Sequence, residues 1–181
     1  LPFMSGNITI RDKSFKTLYS AVEIEGAISR MAGRINRELE GEEPVFLPVL
    51  NGSFMFASDL LRKVTIPCEI SFIKLRSYDA TTSSGKVKTM LGLDTDVAGR
   101  SVVIVEDIVD PGLTVESLTE QLQKKKVRTV KVATLLFKPA SYKRSLPPDY
   151  YCFEVPDRFV VGYGMDYCGL GRNLAEVRVL A

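Results

Sequence analysis

Hydrophobic positions along the chain follow two periods, and each predicts a different element. Apolar residues recur at helical spacing near the start of the chain, at Ile24, Ile28, Met31, Ile35 and Leu39. This pattern predicts an amphipathic helix that ends at Gly41. The uninterrupted apolar run Val102–Val105 predicts instead a strand that is covered on both faces, as in a parallel sheet.

Further apolar segments alternate with turn signals. Strands are predicted at Val45–Leu50, Pro67–Leu75, Val130–Phe137, Tyr150–Val155 and Phe159–Tyr163. Helices are predicted at Phe54–Arg62 and Val115–Lys126. Residues 77–88 are polar without a clear period, and a loop this long in a compact domain is usually functional or disordered. The order of elements predicts one α/β domain over residues 1–181, with a parallel core and extra strands at the end.

Composition restricts the classes of function. A chain of 181 residues with a net charge of +2 fits one well-cored domain and favours neither nucleic acid nor a membrane as partner. No stretch approaches the roughly 20 apolar residues of a membrane span, and Leu1-Pro2-Phe3 resembles no secretory signal. Three widely spaced cysteines, Cys68, Cys152 and Cys168, fit free thiols in a reducing cytoplasm. The sequence has no histidine, so catalysis must use carboxylates, lysine, backbone groups or an oxygen-ligated cation.

The segment that follows the doubly covered strand carries the strongest functional signal. Three carboxylates, Glu106, Asp107 and Asp110, are followed by a turn with Gly112 and by Thr114, where a helix begins. Ligands of open parallel sheets bind beyond the carboxyl ends of the strands. A turn that opens a helix also offers free backbone N–H groups to a phosphate. Carboxylates beside such a turn suit a ligand with hydroxyls or bound Mg²⁺, and a sugar phosphate is such a ligand.

This segment resembles the phosphoribosyl pyrophosphate signature of type I phosphoribosyltransferases: an apolar run, Glu-Asp, two apolar residues, Asp, a small residue, Gly, any residue and Thr. Further motifs follow the order and spacing of the hypoxanthine-guanine phosphoribosyltransferases: Leu50-Asn51-Gly52-Ser53, Arg76-Ser77-Tyr78, Lys138, and Phe159 to Tyr167 with Arg172. The resemblance covers nearly the whole chain from about residue 15. It implies the type I phosphoribosyltransferase fold, a twisted and mainly parallel sheet flanked by helices, with a small hood built from the chain ends.

The resemblance also implies a reaction in purine salvage. Phosphoribosyl pyrophosphate would react with a 6-oxopurine base, either hypoxanthine or guanine, with Mg²⁺ as cofactor. The products would be pyrophosphate and the nucleoside monophosphate, IMP from hypoxanthine or GMP from guanine. It implies a cytoplasmic homodimer or homotetramer. One alternative is a regulator of gene expression with this fold, which would need a basic nucleic-acid surface or an added domain. A generic nucleotide-binding module would need a G-x-G-x-x-G motif after its first strand, and that motif is absent.

The resemblance assigns the ribose and its phosphate to one segment. Glu106 and Asp107 would hold the ribose hydroxyls, directly or through Mg²⁺-bound water, because vicinal hydroxyls need paired acceptors. The alternative for this pair is two solvated acids at the end of a strand. Gly112, Leu113 and Thr114 would bind the 5′-phosphate through N–H groups and the Thr114 hydroxyl.

Asp110 matches the residue at purine N7, where it takes or shares a proton and favours an oxocarbenium-like transition state. The alternative is structural, because Asp110 followed by Pro111 is a good N-cap arrangement. Pro111 departs from the family, which usually has a small hydroxyl residue at this position. Proline lacks both the hydroxyl and the N–H, so we expect a phosphate site with fewer donors.

For the base, the resemblance assigns Lys138 to purine O6, where an ammonium favours 6-oxo over 6-amino bases. Phe159 would stack on the ring, and the Val160 backbone would contact the pyrimidine edge. The alternatives are a solvent-exposed lysine at a strand end and a phenylalanine that belongs to the core. The implied base-binding residues are Lys138, Phe159, Val160 and Asp166.

The remaining assignments concern pyrophosphate and the lid. Asp166 matches a ligand of Mg²⁺, Arg172 matches a pyrophosphate-binding arginine, and Asn51-Gly52 occupies the pyrophosphate loop. In this family the peptide that corresponds to Leu50–Asn51 can be cis. Residues 77–88 match a mobile lid in which Ser77-Tyr78 closes over the site, because water would otherwise capture an oxocarbenium-like carbon. The implied Mg²⁺ ligands are Glu106, Asp107 and Asp166.

Overall fold

The computed structural model describes residues 6–76, 88–91, 93, 95–143 and 147–181. A smaller sheet contains β1 (Ile8–Ile10), β2 (Lys13–Tyr19), β10 (Val160–Val161) and β11 (Val177–Leu180). A larger sheet contains β3 (Val45–Leu50), β4 (Glu69–Ile70), β5 (Ile73–Arg76), β6 (Lys88–Leu91), β7 (Ser101–Val109), β8 (Thr129–Phe137) and β9 (Tyr150–Glu154). The helices are α1 (Ala21–Glu38), α2 (Phe54–Leu61) and α3 (Leu113–Lys124).

The larger sheet is mainly parallel, as predicted. Its strand order is β6-β5-β3-β7-β8-β9, with β4 beside β3, and only the β5–β6 pair within it is antiparallel. Helices cover both faces of the central strand β7. Val103 and Val105 belong to the core cluster that includes α1 and α2, whereas Val102 and Ile104 pack with α3 residues. This double coverage explains the uninterrupted apolar run, because neither face of β7 meets water.

The smaller sheet joins the two ends of the chain, as the predicted hood requires. β11 pairs with β2 and with β10, both antiparallel. Arg178 of β11 is 2% exposed and donates to the carbonyl oxygens of Gly6 and Phe15 at 2.9 and 3.4 Å, and it forms an ion pair with Glu176. The hood is therefore fixed to the chain start by a buried cation whose donors are satisfied.

Several element boundaries differ from the sequence-based prediction. The strand predicted at Pro67–Leu75 is divided into β4 and β5, and the strand predicted at Phe159–Tyr163 is reduced to β10. The strand predicted to end at Val105 continues to Val109 because its pairing with β8 extends to Val109↔Phe137. Glu106 and Asp107 thus lie within β7 rather than beyond it.

The region of the predicted lid is only partly described. Lys88, predicted as the end of the loop, begins β6. Ser77 and Tyr78 lie outside the described residues. None of the described helices is long and apolar enough to cross a membrane.

Candidate active site

The carboxyl ends of β3, β7 and β8 meet the β9–β10 connection and the segment that follows β10 at a cavity of about 380 Å³. This is the edge at which ligands of parallel α/β sheets bind. Eight of the predicted site residues line the cavity: Gly52, Asp107, Asp110, Lys138, Phe159, Val160, Asp166 and Arg172. Asn51, Glu106 and Gly112–Thr114 lie outside this lining and adjoin it along the chain. Ile108 and Met165 also line it and were not predicted.

Glu106 and Asp107 place negative charge at the end of β7. Glu106 is only 6% exposed, and burial, followed by the nearby Asp107 charge, raises its pKa well above the usual value. Burial also raises the pKa of Asp107, although the Ile108 N–H donates to its Oδ1 at 2.9 Å. Within the described part of the chain neither carboxylate forms a salt bridge. The alternative of two solvated acids is therefore wrong, and a cation or hydroxyl donors would stabilise the charged forms of these acids.

Lys138 lies at the end of β8 and is paired rather than free in solvent. Its Nζ donates to Asp110 Oδ2 at 2.7 Å and lies 3.3 Å from Asp157 Oδ1. Burial alone would lower the pKa of Lys138, which is 7% exposed, but the hydrogen bonds and charges of Asp110 and Asp157 outweigh burial and raise it. The alternative of an exposed strand-end lysine is wrong. Asp157 was not predicted, and its position two residues before Phe159 is the only sequence signal for it.

Asp110 does not cap the following helix, so the N-cap alternative is also wrong. The N-cap residue of α3 is Gly112, whose φ of 81° is left-handed, and no side chain caps this helix. The Asp110 carboxylate is turned instead toward Lys138. At the start of α3, the N–H groups of Leu113 and Thr114 have no partner inside the helix. They remain suited to an anion, as predicted for the 5′-phosphate.

Two glycines bring the loop after β3 against β7. A Cβ added to Gly52 would lie 1.8 Å from Asp107 Oδ2, and one added to Gly164 would lie 2.0 Å from the Gly52 carbonyl oxygen. Only glycine permits these approaches, so the loop lies directly on the acidic end of β7. The Leu50–Asn51 peptide is cis, as the family resemblance allows.

Arg172 and Asp166 form the opposite wall. Arg172 Nη2 lies 2.6 Å from Asp166 Oδ1, and Nη1 donates to the Gly164 carbonyl oxygen at 2.7 Å. Asp166 Oδ2 also accepts from the Gly169 N–H at 2.7 Å. Both side chains are held in place, and the guanidinium stands beside the loop that contains Gly52.

The donor set fits Mg²⁺ in one particular binding mode. No group of three or more possible metal-binding side chains is found among the described residues, so Glu106, Asp107 and Asp166 do not form a complete protein site. Mg²⁺ is usually bound through one or two carboxylates together with substrate phosphates and water. Buried Glu106 and partly buried Asp107, which form no salt bridge within the described residues, match that mode.

Phe159 and Val160 form the remaining wall at β10. Phe159 is 45% exposed, so the alternative that it belongs to the core is wrong. Its ring lies against Phe15 and Tyr167, with centroid distances of 6.3 and 5.6 Å. These contacts hold one edge of the ring while its exposed part remains available for stacking.

The family model for the phosphoribosyl transferase domain matches residues 14–168. The chain belongs to the phosphoribosyltransferase family. A hypoxanthine-guanine phosphoribosyltransferase of Bacillus subtilis is 40% identical over 166 residues, which cover 91% of this chain and 92% of that protein. The structure of a hypoxanthine-guanine phosphoribosyltransferase from Bacillus anthracis has a TM-score of 0.87 at 39% identity and covers 92% of this chain and 98% of that one. A hypoxanthine phosphoribosyltransferase from Staphylococcus aureus also has a TM-score of 0.87, at 34% identity, over 92% of this chain and 91% of that one. The predicted fold class is confirmed.

Proposed function

We propose that this protein is a hypoxanthine-guanine phosphoribosyltransferase of purine salvage. It transfers the phosphoribosyl group from phosphoribosyl pyrophosphate to hypoxanthine or guanine and releases IMP or GMP and pyrophosphate. The observation that carries this proposal is the 2.7 Å pair of Lys138 Nζ and Asp110 Oδ2 on the cavity wall, beside the exposed ring of Phe159. The names of the relatives, which are enzymes of this kind, support it. No observation favours the regulatory alternative.

The Lys138–Asp110 pair complements one edge of a 6-oxopurine. O6 is an acceptor and N7 lies next to it, so adjacent donor and acceptor groups suit that edge when N7 carries a proton. Lys138 donates to O6 and Asp110 accepts from N7, while Phe159 stacks on the ring and the Val160 backbone contacts its other edge. Adenine would present a 6-amino group to the Lys138 ammonium, which brings donor against donor.

The acidic end of β7 serves the phosphoribosyl group in this proposal. Glu106 and Asp107 accept hydrogen bonds from the ribose hydroxyls, and Gly112–Thr114 bind the 5′-phosphate at the start of α3. Asn51-Gly52 and Arg172 hold the pyrophosphate. For Ser77-Tyr78, which lie outside the described residues, the proposal keeps the role that the family resemblance implies, which is to exclude water from the reacting carbon.

The reaction exchanges one bond at C1′ for another. Purine N9 forms its bond to C1′ as the bond between C1′ and the pyrophosphate oxygen breaks, and Asp110 takes or shares the N7 proton of the base. The negative charge of Asp110 and of the end of β7 stabilises positive charge on the sugar in the transition state. Mg²⁺, with Glu106, Asp107 and Asp166 as its proposed protein ligands, supplies charge neutralisation to the pyrophosphate when bound.

We further propose a single domain that works as a cytoplasmic homodimer or homotetramer, without nucleic acid or membrane as partner. Three free cysteines, Cys68, Cys152 and Cys168, support a reducing compartment. Exposed apolar side chains at Phe54, Ile70 and Phe72 support self-association. Sedimentation equilibrium tests this part, because a monomer at micromolar concentration would contradict it.

A steady-state assay with phosphoribosyl pyrophosphate, Mg²⁺ and each of hypoxanthine, guanine, xanthine and adenine tests the proposed reaction. We expect turnover of hypoxanthine and guanine, with adenine disfavoured by on the order of 10⁴-fold in kcat/KM because buried polar groups would be left unpaired. Adenine turnover within about tenfold of hypoxanthine would contradict the role of Lys138. Absence of turnover with all four bases would contradict the proposed function.

A further inference from the structure

Tyr163 occupies an unusual backbone position behind the candidate active site. Its φ of 46° is left-handed, and it stands between Gly162 and Gly164, which also have positive φ. A bulky L-residue rarely adopts this conformation without compensating contacts. Tyr163 is 4% exposed, and its hydroxyl donates a hydrogen bond to Asp59 of α2. A side chain from the middle of a glycine turn is thus tied to a helix that is distant in sequence.

The turn around Tyr163 positions the groups proposed to hold pyrophosphate. The Tyr163 N–H donates to the Leu174 carbonyl at 2.9 Å. The next residue, Gly164, packs against the Gly52 carbonyl oxygen. Gly164 also exchanges two hydrogen bonds with Arg172, donating from its N–H at 2.9 Å and accepting from Nη1 at 2.7 Å. Gly164 is therefore clamped between the loop after β3 and the arginine of the opposite wall.

Asp59 provides a second contact between the turn around Tyr163 and the segment that contains Gly52. It belongs to α2, which begins directly after the Asn51–Ser53 loop. The bond from Tyr163 to Asp59 therefore joins α2 and its preceding loop to the turn that carries Gly164. The two pyrophosphate-binding segments meet at Gly52 and Gly164 on one side and at Asp59 and Tyr163 on the other. Two contacts between the same segments fix an orientation that one contact alone would leave free to rotate.

Packing alone does not fix the Tyr163 hydroxyl. A cavity of about 410 Å³ opens beside it, lined in part by Asp59, Arg62, Lys63 and Tyr163 itself. Burial, and then the bond to Asp59, raises the pKa of Tyr163, so the hydroxyl remains protonated and a donor at physiological pH. Because the space beside the ring end is open, the hydrogen bond to Asp59 fixes the position of the Tyr163 hydroxyl. It also links the turn, which its own backbone hydrogen bonds hold together, to α2.

We propose that Tyr163 and Asp59 are positioning residues for the pyrophosphate half of the site. This inference rests on the proposed phosphoribosyl transfer. Neither side chain contacts substrate. They act through Gly164, which sets the distance between the Gly52 loop and the Arg172 guanidinium. Loss of the hydrogen bond weakens binding of phosphoribosyl pyrophosphate and pyrophosphate, and leaves the Lys138–Asp110 pair and base binding unchanged.

The test removes the hydrogen bond without changing the packing. For Tyr163→Phe we expect a roughly threefold to thirtyfold rise in KM for phosphoribosyl pyrophosphate and in Ki for pyrophosphate, since small misplacements of binding groups are costly. The KM for hypoxanthine should change less than about twofold. Asp59→Asn keeps an acceptor for the hydroxyl and should behave like the wild type. Asp59→Ala should reproduce Tyr163→Phe while the tyrosine stays in place, and the double variant should be no worse than either one.

Tyr150→Phe is the matched control, because Tyr150 is also buried and donates to a helical carboxylate, Glu38 Oε2, at 2.8 Å. It should lower Tm by a similar amount and leave both pyrophosphate constants unchanged. The inference is overturned if Tyr163→Phe lowers Tm as Tyr150→Phe does without a change in either constant. It is also overturned if the KM values for base and phosphoribosyl pyrophosphate rise together. Wild-type turnover in the same assay reports separately on the proposed function.

Discussion

Both ends of strand β7 are polar, but they differ in whether the carboxylates there have a cation beside them. At the amino end, Ser101 is 1% exposed and its hydroxyl donates to the Glu42 carboxylate. The same hydroxyl accepts from Thr129 Oγ1 at 2.8 Å and from Arg128 Nη2 at 3.1 Å. Arg128 also lies 3.0 Å from Glu42, so the carboxylate has a cation beside it. The amino end is a satisfied network that stabilises the fold.

At the carboxyl end, β7 is still paired with β8, since the eight residue pairs between the two strands extend as far as Val109. Glu106 and Asp107 lie in this part of the strand. Burial raises the pKa of both acids, and in the described residues no cation forms a salt bridge with either. At the amino end of the strand, a carboxylate is thus paired with a cation, whereas the acids at the carboxyl end have no salt bridge in the described part of the chain, although the Arg172 charge lowers the pKa of Asp107. Perturbed acids without a salt bridge are typical of binding sites, so the difference supports the proposal that the carboxyl end is the functional end of β7.

The largest expected effect comes from Asp110→Asn at the carboxyl end. This change keeps the shape of the side chain but removes the charge and the proton acceptor, so we expect kcat to fall by roughly 10²–10⁴-fold. Tm should fall only modestly, because Asp110 does not cap α3 and Asp157 remains beside Lys138 in the variant. Asp157→Asn is the matched control, since it removes the other carboxylate next to Lys138 and should lower kcat less than about tenfold. Equal losses in the two variants would mean that Asp110 only holds Lys138.

Pro111→Thr should strengthen the phosphate site at the same end. The change restores a backbone N–H and adds a hydroxyl near the start of α3, and hydrogen bonds to charged groups are worth about 1.5–3 kcal/mol each. Because water offsets part of this gain, we expect KM for phosphoribosyl pyrophosphate to fall roughly threefold to thirtyfold, with a smaller change for the base. Pro111→Ala restores the N–H alone and should give part of the effect. If neither variant binds phosphoribosyl pyrophosphate more tightly, the 5′-phosphate assignment is wrong.

Replacing a glutamate by glutamine should change the free energy of unfolding in opposite directions at the two ends of β7. Glu106→Gln replaces a buried acid that has no salt bridge among the described residues, so we expect the ligand-free protein to gain about 0.5–2 kcal/mol at neutral pH. Glu42→Gln weakens the partly exposed pair with Arg128 and should cost about 0.5–1.5 kcal/mol. Urea unfolding of both variants measures the two changes. A loss of stability in Glu106→Gln would show that Glu106 is compensated after all.

The smallest expected effect is the pH dependence of the stability gain in Glu106→Gln. A carboxyl group with a raised pKa in the folded state binds protons more tightly there than in the unfolded chain. Its contribution to the free energy of unfolding therefore falls as pH rises from the ordinary value of about 4 toward the raised one. The stability gain of Glu106→Gln should accordingly grow with pH above about 4 and then level off. A gain that is constant between acid and neutral pH would contradict the raised pKa.

The sequence predicted the central fold well and the hood strands poorly. α1, β3, β7 and β8 have long apolar patterns because each buries a face or both faces in the core. In β2 only Phe15 is buried, so no alternation marks the strand, and the turn before it uses Arg11 with a φ of 57° where a glycine would have been recognised. Strands that pair at the surface leave little pattern in the sequence.

The candidate site was predictable only as far as the family motifs reach. Asp110 and Lys138 were both identified, but the bond between them and the third partner, Asp157, depends on how β7, β8 and the β9–β10 connection come together. Tyr163 and Asp59 are 104 residues apart, and no local pattern predicts their hydrogen bond. Such contacts form only when distant segments pack together, so the spacing of residues in the sequence cannot predict them.

Calorimetric titration of phosphoribosyl pyrophosphate with Mg²⁺ tests most directly whether the two acids at the carboxyl end of β7 bind the ligand. Three proteins suffice: the wild type, a Glu106→Gln/Asp107→Asn double variant, and Glu42→Gln as the control from the amino end. We expect Glu42→Gln to bind like the wild type and the double variant to bind at least about tenfold more weakly, because charge-assisted bonds to the ribose hydroxyls are lost. Binding by the double variant with wild-type affinity would contradict this account of the site.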